Sequence, residues 1–201
     1  MIRSVTVYCS SSREIKPAYL AVAHELGHAI ASAGWKLVYG GNYLGSMAAL
    51  ADGTRSANGT VVGITPRLMV GKGYDDKHCS ELIVVDDMRQ RKALLEARGD
   101  AFIAMPGGLG TLEELSEVIV ARLLKYHDKP IVILNIDGFY DPLLAFIEQG
   151  IKEKFVKPKA RELYCVATSV AAAIAHLQHP PAATAPPPSQ VAATVATIDP
   201  S

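Results

Sequence analysis

Short apolar runs alternate with longer stretches of helical periodicity along most of this chain. Strand-length runs fall at residues 5–9, 37–39, 60–64, 82–85, 101–105, 131–134 and 164–166. Between them the spacing predicts helices over residues 16–33, 44–56, 88–98, 112–126 and 140–149, with an alanine-rich helix from residue 170. Gly34 stands where a helix C′ glycine is expected. The strand runs are continuous in Val, Ile and Leu rather than alternating, as in strands covered on both faces. Strand–helix alternation with short connections predicts an α/β fold, a doubly wound parallel sheet of about seven strands. Ligands of such sheets sit at the carboxyl ends of the strands, so the strand-to-helix loops are where chemistry is to be sought.

Periodicity stops near residue 178. Residues 179–201 hold six of the twelve prolines, no aromatic residue, no Lys or Arg, and the single acid Asp199. Such a segment buries too little to offset its ordering entropy, so a disordered tail is expected beside one domain over residues 1–178. The chain has 201 residues, 20 Lys+Arg against 20 Asp+Glu, and 49% apolar residues. Zero net charge argues against a nucleic-acid partner, and no apolar run reaches the ~18 to 20 residues of a membrane span. Cys9, Cys79 and Cys165 are an odd, scattered set without a CxxC pair, and the first apolar run is too short for a signal peptide. A cytoplasmic protein acting on a small molecule is expected.

The strongest local pattern is Pro106-Gly107-Gly108-Leu109-Gly110-Thr111-Leu112-Glu113-Glu114, which follows a buried strand and opens a helix. Its glycines admit a ligand close to the backbone, and the unpaired amides of a helix start carry partial positive charge, together a cradle for phosphate. Thr111 and Glu114 also fit a capping box, Glu114 folding back to the Thr111 amide. Catalysis and capping make different demands on Glu114, and both stay open here. Gly40-Gly41-Asn42-Tyr43-Leu44-Gly45 and Ser10-Ser11-Ser12 follow two further strands, and three such loops at one sheet edge suggest a nucleotide-sized site. Arg89, Arg91 and Lys92 open a helix, where cations oppose the dipole; an anionic ligand or a plain exposed basic face accounts for them.

Other patterns point elsewhere. His24-Glu25-Leu26-Gly27-His28 spells HExxH, but at about 100° per residue its polar members fall opposite the apolar face of Tyr19, Ala23, Leu26 and Ile30. Gly27 also weakens a helix by about 1 kcal/mol relative to alanine. Gly71-Lys72-Gly73 lacks P-loop spacing, Cys9 reads as a packed strand-end thiol, and no His and acid stand at a triad-like spacing.

The signature loop resembles the PGGxGTxxE segment of the LOG (LONELY GUY) family, and Met88-Arg89-Gln90-Arg91-Lys92 resembles that family's MxxRK segment. Further likeness lies in Leu37-Val38-Tyr39-Gly40-Gly41, Gly63-Ile64-Thr65-Pro66 and His127-Asp128-Lys129-Pro130, so the resemblance covers about residues 2–178. It implies a Rossmann-like fold and a cytokinin riboside 5′-monophosphate phosphoribohydrolase, releasing an adenine-type base and ribose 5-phosphate without a metal or redox cofactor. By motif position Arg91 and Glu114 would be catalytic. Ser11, Gly41, Met88, Lys92, Gly107, Gly108, Gly110 and Thr111 would hold substrate or phosphate, Arg89 having no clear role. Members are commonly homodimers, and the apolar helix near residues 112–124 suits either an interface or core.

The chain departs from the family in Cys9-Ser10-Ser11-Ser12 for the common CGSS and in Asn42-Tyr43 within the second glycine loop. It also has Val120 and Ala121 where many members have Thr and Trp. Members have carried the label lysine decarboxylase, but no Schiff-base lysine with a cofactor site is visible in the sequence. In the hydrolytic reading Glu114 stabilises an oxocarbenium-like centre and activates water, while Arg91 binds phosphate, ribose or the leaving purine. A helix first turn favours ionised Glu114 and a bound phosphate opposes it, so the sign of its shift is open. Two alternatives remain, a non-catalytic nucleotide-binding or carrier protein and a plain AMP nucleosidase.

Overall fold

The computed structural model describes residues 1–179; the expected tail lies, but for His179, outside the described residues. Seven parallel strands form one sheet: β1 (Ser4–Tyr8), β2 (Lys36–Tyr39), β3 (Val61–Pro66), β4 (Glu81–Val85), β5 (Ala101–Ala104), β6 (Ile131–Leu134) and β7 (Cys165–Ala167). Each of the seven runs read from the sequence is a strand, with no end shifted by more than two residues. The helices are α1 (Pro17–Ser32), α2 (Gly45–Ser56), α3 (Arg67–Val70), α4 (Met88–Arg98), α5 (Leu109–Leu123), α6 (Asp141–Lys152) and α7 (Val170–Gln178). The short α3 and two 3-10 turns, Ile136–Gly138 and Pro158–Glu162, carry too little periodicity to be read in advance.

The strand order is β4-β3-β2-β1-β5-β6-β7. Chain direction across the sheet therefore reverses between β1 and β5, which pair in register from Val5↔Ala101 to Tyr8↔Ala104. The loops leaving these two strands diverge and open a crevice at their carboxyl ends. Alternate strand residues feed two cores. Val5, Val7, Leu37 and Ile103 face α1, α2 and α7, whereas Tyr8, Val38, Phe102 and Ile133 face α4, α5 and α6.

Helices α1 and α2 approach closely through two glycines. A side chain at Gly27 would run into the Leu50 carbonyl oxygen, and one at Gly53 into that of His24. The glycine inside HExxH thus permits helix contact, while His24, Glu25 and His28 are exposed on the far side of α1.

Candidate active site

The sequence suggests that Thr111 begins the signature helix, but α5 starts at Leu109 with Gly108 as its N-cap. The capping-box reading fails for that reason. Thr111 is already inside the helix, and Glu114 lies in its second turn, beyond the strongest field of the free amides. Those amides belong to Leu109, Gly110 and Thr111, while the Leu112 amide donates to the Gly108 carbonyl at 3.0 Å. A side chain at Gly107 would strike Thr111, so the turn itself demands glycine there. At Gly108 and Gly110 an added Cβ would meet nothing within 4 Å. Packing among the described residues gives no reason for glycine at these two positions.

Helix α4, on the same face of the sheet as α5, brings Arg91 to it. Asp87 caps α4 by accepting from the amides of Arg89 and Gln90 at 2.8 and 2.9 Å, which offsets the cations of the first turn. The Arg91 guanidinium is buried and fully directed. Its Nη1 donates to Glu114 Oε1 at 3.0 Å, Nε to the Ile64 carbonyl at 3.1 Å, and Nη2 to the Gly40 carbonyl at 3.3 Å. A Cβ at Gly40 would collide with that guanidinium, so glycine at the exit of β2 makes room for Arg91. Three of its five N–H groups are thereby used among the described residues.

Both members of the pair have side chains 8% exposed. Burial raises the Glu114 carboxyl above its ordinary value of 4.5; Arg91 opposes the rise and neighbouring Glu113 adds to it. Burial thus outweighs the arginine in the cleft itself. Arg91 is the hydrogen-bond partner of this carboxylate among the described residues, and it engages one oxygen.

The pair faces a cleft of about 370 Å³, within the range of small-molecule sites. Ser10, Ser11, Ser12, Gly108, Gly110, Thr111 and Glu113 form its polar wall, and Met47, Pro66, Met69 and Met88 its apolar wall. Of the residues singled out in the sequence, Ser11, Met88, Arg91, Gly108, Gly110, Thr111 and Glu114 line it. Gly41, Lys92 and Gly107 do not. Gly41 turns the chain with φ +71° against Ile64 and Thr65, and Gly107 supports Thr111 from behind. Lys92 Nζ is held by Glu113 at 2.7 Å and Glu117 at 3.4 Å.

Met47, Met69 and Pro66 were missed, although Pro66 lies in a segment already noted for its likeness. Cys9 also borders the cleft, but burial pushes its thiol well above the ordinary range, as a packed strand-end residue implies. Val120 and Ala121 lie on the outer part of α5 and do not line this cleft.

A parallel sheet with a polar cleft at its switch point and a buried arginine–glutamate pair in that cleft defines a Rossmann-like α/β protein. Solved structures agree on the fold. The molybdenum cofactor binding protein of Rippkaea orientalis matches with TM-score 0.69 and 24% identity, over 89% of this chain and 96% of that one. The molybdenum cofactor carrier protein of Chlamydomonas reinhardtii matches with TM-score 0.68 and 25% identity, over 89% and 97%.

The family model described as "Possible lysine decarboxylase" matches residues 47–177. A cytokinin riboside 5′-monophosphate phosphoribohydrolase of Rhodococcoides fascians is 42% identical over 179 residues, 89% of this chain and 90% of that protein. One from Arabidopsis thaliana is 42% identical over 161 residues, 80% and 75%. A probable one from Oryza sativa subsp. japonica is 41% identical over 165 residues, 82% and 68%. The chain belongs to this family, the LOG family.

Proposed function

We propose that the protein hydrolyses the N-glycosidic bond of adenosine 5′-monophosphates, with or without an N6 substituent, releasing the free base and ribose 5-phosphate. The observation that carries this reading is the buried Arg91–Glu114 pair facing the cleft, with the carboxylate engaged by its arginine through one oxygen. The activity named for relatives at about 40% identity supports it.

In this reading the 5′-phosphate lies against the amides of Leu109, Gly110 and Thr111, where the helix start attracts an anion. The C1′–N9 bond breaks with its electron pair leaving on the purine, and water adds its oxygen to C1′. Glu114 stabilises the cationic sugar and takes the proton of that water; the departing purine gains a proton from solvent, and Glu114 returns its own to solvent. Arg91 holds the carboxylate in place and opposes the protonation that burial favours. Met47, Pro66, Met69 and Met88 supply an apolar wall suited to an N6-alkyl group.

The family model's description implies a pyridoxal group on a Schiff-base lysine. Among the described residues no lysine lines the cleft, and Lys92 is held by two carboxylates, so these residues do not fit that group. A carrier would share the cleft but has no need of an acid facing its ligand.

The reading extends to a cytoplasmic homodimer. Free Cys9, Cys79 and Cys165 suit a reducing compartment, and no helix among the described residues is long and apolar enough to cross a membrane. Leu115 and Val118 of α5 are core, whereas Val120, Leu123 and Leu124 are 45–60% exposed, an apolar strip fit for a second copy. Light scattering should give twice the chain mass, and Leu124→Glu the chain mass.

The test of activity is chromatographic detection of base released from AMP and isopentenyl-AMP, with Glu114→Gln alongside. Isopentenyladenine released well above adenine, and lost in the variant, is the expected result. Adenine alone would make the protein a plain AMP nucleosidase. Nucleotide binding without release from either substrate would make it a carrier.

A further inference from the structure

Tyr140 stands behind the signature loop and has no part in the chemistry above. The β5–β6 ladder ends at Ala104↔Ile133, and the residue after Met105 is a proline. Met105 still pairs its amide with the Tyr8 carbonyl at 2.9 Å, but its own carbonyl lies beyond the ladder. The Tyr140 hydroxyl donates to that carbonyl at 2.6 Å, and both residues are buried.

Tyr140 is itself held on the end of the sheet. Its amide donates to Asn135 Oδ1 at 2.7 Å, Asn135 Nδ2 donates to Asp141 Oδ1 at 2.7 Å, and the Asn135 amide donates to the β7 residue Ala167 at 2.7 Å. Phe139 packs edge-on against the ring, with centroids 5.1 Å apart. Burial raises the Tyr140 hydroxyl above its usual range, so it stays a donor.

Only Pro106 and Gly107 separate the anchored carbonyl from Gly108, the N-cap of α5. A shift at Met105 is passed over that short span to the amides at the mouth of the cleft. We propose that Tyr140 is a positioning residue: its hydroxyl fixes the Met105 carbonyl and thereby sets the direction of the α5 amides that receive phosphate. This inference rests on the phosphate placement of the preceding section.

The test is Tyr140→Phe, which removes one oxygen and keeps the ring. Inhibition by ribose 5-phosphate and by inorganic phosphate, and KM for AMP, should weaken about tenfold, less than the roughly hundredfold in rate that a 1 Å misplacement can cost. Inhibition by adenine should stay within about twofold, since adenine does not use the loop. Ile133→Val, a core change on β6 without loss of a hydrogen bond, should leave the phosphate-to-adenine ratio unmoved. Equal weakening of all four ligands, or none, would overturn the proposal. If Tyr140→Phe does not fold, Asn135→Ser releases Tyr140 from behind and must show the same selective loss. Wild-type protein indifferent to ribose 5-phosphate and phosphate would overturn the phosphate placement itself, an outcome distinct from failure of the variant alone.

Discussion

Two arginine–carboxylate pairs with buried carboxylates stand on opposite sides of Gly40 and Gly41, and they are built differently. At the cleft, Arg91 meets Glu114 at 3.0 Å; behind the second glycine loop, Arg55 meets Asp76 at 2.8 Å. Asp76 is fully enclosed yet well supplied: it accepts from Arg55, from the Tyr39 hydroxyl at 2.7 Å and from the His78 amide at 2.9 Å. Burial alone would raise its carboxyl, but those three donors hold it below the ordinary 3.8. Glu114 receives one donor, and there burial prevails. The Arg55–Asp76 pair joins β2, α2 and the loop before β4. The Arg91–Glu114 pair leaves a carboxylate with one donor at the cleft, the arrangement that the proposed chemistry requires.

The largest effect that sharpens this contrast is expected from Arg91→Ala. It strands a buried carboxylate and takes donors from the Gly40 and Ile64 carbonyls, a loss of about 3–5 kcal/mol by denaturant titration. A loss below about 1 kcal/mol would mean that water replaces the guanidinium. Asp76→Ala should cost about 2–3 kcal/mol, because Arg55 is one-quarter exposed and is rehydrated in part. Turnover per folded molecule should change far less than for Glu114→Gln, and a comparable collapse would erase the distinction between the pairs.

The two carboxylates also predict opposite pH behaviour. Asp76 has a lowered folded pKa, so its contribution is present above its unfolded value and is lost as pH falls through the folded value. Glu114 has a raised folded pKa, so its contribution is complete below its unfolded value and is lost as pH rises through the folded one. Denaturation across pH 3 to about 8 should therefore show the wild-type advantage over Asp76→Asn shrinking in acid. Glu114→Gln should gain on wild type as pH rises above the ordinary carboxylate range. The acid limb of kcat/KM should likewise lie above 4.5. The smallest effect is expected from Arg55→Lys, about 0.5–1 kcal/mol, because one ammonium cannot span Asp76 and the half-exposed Asp52 as the guanidinium fork does.

Why one pair was legible in sequence and the other was not is a matter of range. Strands show through because continuous apolar runs report local burial, and all seven were read that way. The start of α5 was misplaced because Gly108, Leu109 and Gly110 carry no helix signal, whereas Thr111 imitates a cap. Arg91 and Glu114 were found through motif likeness. Their meeting across 23 residues depends on the sheet between them. Asp76 and Tyr140 act through contacts with Tyr39, Arg55 and Met105 that leave no local pattern, and the methionines of the cleft wall look like any other apolar positions.

The most direct measurement is carboxyl carbon NMR of Glu114 and Asp76 in the same ligand-free sample, assigned with Glu114→Gln and Asp76→Asn. The account predicts Glu114 titrating above the ordinary glutamate value and Asp76 below the ordinary aspartate value. Glu114 titrating at or below its ordinary value would contradict it, making the cleft pair a second structural ion pair.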